Sequence, residues 1–151
     1  MHKEITEAER RAALDNAVAI VRRNLPQYTY KCQDANSVNG IYKPIDNIEW
    51  TTGFWPGELW LSYLYTDDEV FAHAAGVFTE SFLHRIRKHI MTDHHDMGFL
   101  YSPSCVAAWQ IKKDAHAREA AILAADNLIA RFHEKGQFLQ AWGEMGAKDN
   151  Y

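Results

Sequence analysis

Apolar residues recur at helical spacing in five stretches of this 151-residue chain, and the segments that follow each of them alternate long, short, long, short, long. That pattern dictates a stack of helices, since each amphipathic stripe must be buried against a neighbour. The first helix is predicted from Thr6 to about Asn24. Thr6 and Glu9 stand at capping-box spacing. Leu14, Ala17, Val18 and Val21 fall at i, i+3, i+4 and i+7, and Pro26 is expected to close the helix. A long segment from Gln27 to Trp55, rich in Asn, Asp, Tyr and Gly, reads as loop.

The second helix starts at Pro56, a favoured first-turn residue, and carries Leu59, Trp60, Tyr63 and Leu64. A third follows almost at once, with Thr66 and Glu69 at capping-box spacing. It is predicted over Asp67 to about His89, with Phe71, Ala74, Ala75, Phe78, Phe82 and Ile86 inward. A second long loop holds Met91 to Phe99. A fourth helix is predicted over Ser104 to Lys112. A fifth runs from a cap at Asp114 to about His133, with Ala117, Ala120, Ala121, Ala124, Leu128 and Phe132 on its stripe. Gly136 breaks it, and a third long segment covers Gln137 to Tyr151.

Successive antiparallel helices alternate in direction, so the three long connections emerge at the same end of the stack. Trp50, Asp96 and Trp142 lie in those three connections, and one rim is expected to gather them. No strand–helix alternation is present, which excludes a parallel sheet.

Net charge is −4, which argues against a nucleic-acid partner and against a polybasic membrane anchor. No stretch is apolar and long enough to span a bilayer, and Met1–Glu4 lead into a charged amphipathic segment rather than a signal sequence. Two cysteines, Cys32 and Cys105, are too few for a disulfide framework and read as free thiols; a cytoplasmic protein is expected. The basic run His84–His89 reads as a complement to the carbonyl end of the third helix.

The chemistry-bearing residues cluster in the connections. A Trp face is apolar and its edge polar, which suits the C–H faces and hydroxyl edges of a sugar ring. The plainer reading of Trp50 and Trp142 is packing beneath a loop. Asp96 follows His94 and His95 and precedes Met97-Gly98, where glycine would permit a tight turn. Its plainer reading is a helix cap or turn residue. Adjacent residues such as His94, His95 and Asp96 rarely converge on one ion, so no metal and no cofactor are expected. Glu58 lies in a first helical turn, where a carboxylate is stabilised anyway; Glu144 is less easily dismissed.

Three stretches in this order carry a resemblance: Asn47-Ile48-Glu49-Trp50-Thr51-Thr52-Gly53-Phe54-Trp55-Pro56-Gly57, His94-His95-Asp96-Met97-Gly98-Phe99, and Gly136-Gln137-Phe138-Leu139-Gln140-Ala141-Trp142-Gly143-Glu144. Together they resemble the unsaturated glucuronyl hydrolases of glycoside hydrolase family 88. The resemblance implies an all-α fold, an incomplete (α/α)6 barrel with about its first five helices, forming the N-terminal part of one catalytic domain. It implies a substrate with a 4,5-unsaturated uronic acid at the non-reducing end, left by polysaccharide lyases and cleaved by hydration of the vinyl ether. By motif, Asp96 matches one of two essential aspartates. Trp50 and Trp142 match residues lining the uronate subsite, with Phe54 beside them, and His95 matches a neighbour orienting Asp96.

The sequence departs from the family where it stops. The second aspartate, the general acid and base, is expected in an apolar run after the Gln-Ala-Trp-Gly segment, and Asp149 does not match it. The 151-residue chain alone is therefore expected to be inactive and to associate with itself through an exposed apolar edge. Two alternatives stand beside this reading: an unsaturated rhamnogalacturonyl hydrolase of family 105, and a helical module that binds carbohydrate without chemistry.

Overall fold

The computed structural model describes residues 4–146; Lys148–Tyr151, including Asp149, lie outside them. Its elements in chain order are α1 (Glu7–Tyr28), β1 (Cys32–Val38), β2 (Ile41–Ile45), α2 (Phe54–Thr66), α3 (Glu69–Arg87), α4 (Met97–Tyr101), a π-helical segment (Ser102–Val106), α5 (Ala107–Lys112), α6 (Ala115–Ile129), β3 (Phe132–His133) and β4 (Phe138–Leu139).

The core lies where α3 meets α2 on one side and α6 on the other. Phe71, Ala74, Ala75, Phe78, Phe82 and Ile86 of α3 are all buried, as their spacing requires. Facing them are Trp55, Leu59 and Trp60 of α2, Leu100 and Tyr101 of α4, and Ala117, Ala120 and Ala124 of α6. Alanine on α6 lets that helix approach α3 closely. The Tyr101 ring meets Phe82 edge-on with centroids 5.3 Å apart, and its hydroxyl donates to the Phe82 carbonyl at 3.1 Å.

The helix starts are set by their caps. The Thr6 hydroxyl accepts from Glu9 N–H while the Glu9 carboxylate accepts from Thr6 N–H, the reciprocal box that the sequence implies. The α3 start differs from the expected pairing. Asp68, not Thr66, caps it by accepting from Val70 N–H at 3.0 Å, because the Thr66 hydroxyl donates to the Ser62 carbonyl of the preceding helix at 2.7 Å. Asp114 caps α6 by accepting from His116 and Ala117.

Other boundaries also depart from the sequence reading. α1 continues through Pro26 to Tyr28. The proline removes one N–H near the helix end, but burial of Tyr28 and its 2.6 Å bond to the Tyr42 carbonyl hold the last turn in place. The apolar stripe expected on α1 is largely uncovered: among its buried residues are Val21 and Tyr28, while Leu14 is exposed. The loop expected over Gln27–Trp55 contains the antiparallel hairpin β1–β2. Its turn, Asn39-Gly40, has both residues at positive φ (53° and 73°), the conformation that favours Asn-Gly in two-residue hairpins.

The fourth helix starts at Met97 rather than Ser104, so Met97, Gly98 and Phe99 are helical, and α4, the π segment and α5 form one run to Lys112. Gly98 therefore serves no turn. Pro103 sits where that run is wound more loosely, a common accommodation of a proline within a helix. α6 ends at Ile129, not His133, because Phe132–His133 pair with Phe138–Leu139 in a second short hairpin. Phe132 thereby leaves the helical stripe and is exposed.

Candidate active site

Three connections meet at one end of the helical stack, each held by bonds that its own sequence supplies. In the first, the Thr52 hydroxyl lies 2.6 Å from Asn47 Oδ1 and 2.9 Å from the Glu49 carbonyl, closing the 47–52 turn beneath Trp50. Gly53 then passes tightly over the first turn of α4. A Cβ placed there would fall 2.2 Å from the Phe99 carbonyl oxygen and 2.4 Å from that of Leu100. Close backbone approach is thus a demand on Gly53, while a Cβ at Gly98 would meet nothing within 4 Å.

The second connection, between α3 and α4, includes His89 and Met91 at φ 51° and 48°. Side chains adopt this left-handed conformation only where surroundings enforce it. The connection delivers His94, His95 and Asp96 to the start of α4. Asp96 does occupy the cap position of that helix, but its side chain makes no capping bond. The carboxylate is instead flanked by both imidazoles, with His94 Nδ1 3.5 Å from Oδ2 and His95 Nε2 3.3 Å from Oδ1.

The hydrogen bonds assign the His94 tautomer. Nδ1 accepts from Asp96 N–H at 3.1 Å, so Nε2 carries the hydrogen and donates to the Met91 carbonyl at 2.9 Å. Burial pushes the His94 pKa down, which agrees with a neutral ring. His95 is turned the other way. Its backbone N–H donates to the Ala141 carbonyl at 2.8 Å, and its Nδ1 lies 3.1 Å from the same oxygen, so Nδ1 carries a hydrogen and Nε2 is the nitrogen turned to the Asp96 carboxylate.

That contact joins the second connection to the third. His94 and Trp142 form an antiparallel bridge, and the Trp142 ring meets His95 edge-on at 5.1 Å. Two buried side chains shape the third connection. Arg131, 3% exposed, donates to the carbonyls of Gln140 and Gly143 at 3.0 Å each. Gln140, 2% exposed, donates to the Trp142 and Glu144 carbonyls at 2.9 and 2.8 Å.

The result is a cleft of about 480 Å³ lined by Trp50, Asp96 and Trp142 together with Ile48, Glu49, His89, Met91, Asp93, His94 and Gly143. Phe54 does not line it. Its ring touches Trp50 (centroids 6.5 Å apart) and Phe99 (5.7 Å), while Trp50 and Phe99 are 6.1 Å apart. This half-exposed trio continues the aromatic surface from the cleft toward the α2 face. Glu144 is exposed and outside the cleft lining. Among the described residues no three His, Cys, Asp or Glu side chains gather as a metal would require.

Arg85 escaped the sequence reading as a site component. It lies in the last turn of α3, as its basic neighbours do, but is 1% exposed beneath the cleft instead of facing solvent. The signal was its spacing: Arg85 falls seven residues after Phe78 and three after Phe82, on the buried stripe of α3.

No family model matches the chain. Comparison with known proteins nonetheless gives long, continuous likenesses. The chain is 44% identical over 147 residues to an unsaturated chondroitin disaccharide hydrolase of Streptococcus pneumoniae, covering 97% of this chain and 37% of that protein. The crystal structure of unsaturated glucuronyl hydrolase from Streptococcus agalactiae superposes with a TM-score of 0.95 at 44% identity, over 99% of this chain and 38% of that one. A variant of that enzyme complexed with dGlcA-GalNAc6S superposes with a TM-score of 0.84 at 41% identity, over 87% of this chain and 35% of that chain. The chain thus spans a little over a third of the length of these relatives, and its helices correspond to part of their α/α barrel.

Proposed function

We propose that this chain, related to the unsaturated glucuronyl hydrolases over almost its whole length, is the N-terminal part of the catalytic domain of such an enzyme. It builds one wall of the pocket for a 4,5-unsaturated uronic acid. The observation that carries the reading is the convergence of Trp50, Asp96 and Trp142, from three connections, on one cleft. The half-exposed Trp faces hold the sugar ring, and His95 orients the Asp96 carboxylate. The chemistry is hydration: a proton is delivered to C4 of the vinyl ether and water adds at C5. The hemiketal opens to a ketone, and the hemiacetal left at C1 releases the remaining sugar.

In this reaction Asp96 stabilises positive charge developing at C5, or tunes the second carboxylate that delivers the proton. Two acids in one pocket push each other's pKa apart, so that one holds a proton near neutral pH. The expected second aspartate is not among the residues of this sequence. The names of the relatives favour a lyase product of a glycosaminoglycan over one of pectin, and so favour this reading over the rhamnogalacturonyl alternative. Free thiols at Cys32 and Cys105 support a reducing, cytoplasmic setting. No helix among the described residues is long and apolar enough to cross a membrane.

The test is titration of the 151-residue chain with an unsaturated chondroitin disaccharide, followed by indole resonances and by absorbance of the double bond. Saturable binding that Trp50→Ala and Trp142→Ala each weaken supports the assignment. Binding indifferent to both substitutions sinks it. Absorbance should stay constant with the 151-residue chain; a fall at an enzymatic rate would show that Asp96 needs no second acid.

A further inference from the structure

Two walls of the cleft meet at one buried cation. Arg85 donates from Nε to the Ile90 carbonyl at 3.1 Å. One terminal nitrogen reaches Asn47 Oδ1 at 2.9 Å, and the Glu49 carbonyl and Thr52 hydroxyl at 3.0 Å each. The other reaches the carbonyls of Ile48 at 3.2 Å and Met91 at 2.9 Å. All five N–H groups of the fork are thereby engaged. Every acceptor is neutral, and none of the ion pairs among the described residues includes Arg85.

A charge withdrawn from water without an acid partner is expensive, and an apolar residue would fill the same core position more easily. The guanidinium does what an apolar residue cannot. Its acceptors lie on two segments about 40 residues apart, and three of the residues that supply them, Ile48, Glu49 and Met91, line the cleft. The first segment carries Trp50. The second holds left-handed His89 and Met91 and runs directly into His94 and Asp96.

We propose that Arg85 is a positioning residue of the cleft: its fork sets the placement of the Trp50 ring relative to the Asp96 carboxylate by tying the 47–52 turn to Ile90 and Met91. The proposal rests on reading this cleft as the sugar site, yet the tie itself can be observed without any sugar. Lysine at this position keeps the charge but offers three donors for six acceptors, so it cannot hold both segments as arginine does.

The experiment compares the full 151-residue chain with Arg85→Lys, Arg85→Met and, as a destabilised control remote from the cleft, Thr6→Ala. In amide spectra, Arg85→Lys should shift the signals of Asn47–Thr52 and Ile90–Met91 together, with Trp50, and leave the Arg131-held segment around Trp142 in place. Shifts confined to one of the two segments, or a spectrum changed only at residue 85, overturn the tie. In wild type, the Arg85 Nε–H should exchange with solvent at least about 100-fold more slowly than that of an exposed arginine, as expected for a buried and bonded group. Rapid exchange overturns the tie even if neither substituted chain folds. With the unsaturated disaccharide, Arg85→Lys should bind about tenfold more weakly than wild type, in line with the sensitivity of positioned groups to displacements near 1 Å, and Thr6→Ala should bind unchanged. Equal weakening by Arg85→Lys and Thr6→Ala would reduce Arg85 to general stability. Failure of wild type to bind the disaccharide at all removes the proposed function, and the spectra and exchange rate then still decide whether the tie exists.

Discussion

Gly53→Ala should be among the most damaging single-methyl changes in the chain, and the structure says why. The added Cβ would lie 2.2 Å from the Phe99 oxygen, 2.4 Å from the Leu100 oxygen and 2.7 Å from Leu100 Cα. Ordinary carbon contacts begin near 3.5 Å, so the closest approach falls short by more than ~1 Å. All three obstacles are main chain, so no rotamer change can relieve them. Either the start of α2 or the first turn of α4 must move. Overpacking of this kind typically costs about 1–3 kcal/mol, and the backbone obstruction places this site at the upper end, ~3 kcal/mol. The same chemical change at Gly76, within α3, meets nothing within 4 Å. There it should stabilise by about 0.5–1 kcal/mol by replacing glycine inside a helix. Urea unfolding of both variants is the assay. With a slope of ~1.5 kcal/mol per molar, Gly53→Ala should lower the midpoint by about 2 M, and Gly76→Ala should raise it by roughly 0.5 M. Ring contacts of Phe99 with Trp50 and Phe54 should loosen only in the former, visible as a change in Trp50 emission. Midpoints moving together, or an unchanged midpoint for Gly53→Ala, would refute the argument.

Gln140→Ala removes the donor to the Trp142 and Glu144 carbonyls and the acceptor for Gly146 N–H; it should cost about 2–3 kcal/mol through unsatisfied buried groups and speed hydrogen exchange at Gly146, and unchanged exchange would argue against the hub. The depressed pKa of His94 means that the folded state prefers the neutral ring. Its contribution to stability is present above the unfolded value near ~6.5 and is lost as pH falls through the lower folded value. His94→Gln should therefore destabilise more at pH 7.5 than at pH 5, and a gap independent of pH would contradict this. Burial pushes the thiols of Cys32 and Cys105 up to about 12, so both should resist alkylation at pH 8 in the native chain and react on unfolding; rapid native labelling would show that one is accessible.

The helical frame was legible because the apolar stripe of α3 is long and strictly spaced. The gathering of Trp50, Asp96 and Trp142 was legible because it depends only on helix direction and connection length. What escaped was decided by tertiary partners or by a signal passed over. Asn39-Gly40 is a strong hairpin turn, yet the polar strands around it lack alternation and read as loop. Met97–Phe99 read as loop because Gly98 suits a turn, whereas the chain runs helically from Met97 and absorbs Pro103 by local rewinding. Pro26 reads as a stop because the pull of Tyr28 on the core is invisible in sequence. Arg85 reads as one of several basic residues at a helix end, although its register with Phe78 and Phe82 sets it apart from Arg87 and Lys88.

The neutrality of the partners around Arg85 bears on the media in which the chain can work. Dissolved ions weaken attraction between charges at the surface, over a length of about 8 Å at physiological strength and ~3 Å in molar salt. The half-exposed Arg22–Asp68 pair, which fastens α1 to the start of α3, should fade in brine. The bonds gathered by Arg85 run from a guanidinium only 1% exposed to neutral carbonyl, amide and hydroxyl oxygens, so concentrated electrolyte should slacken the outer helix well before it reshapes the mouth between Trp50 and Asp96.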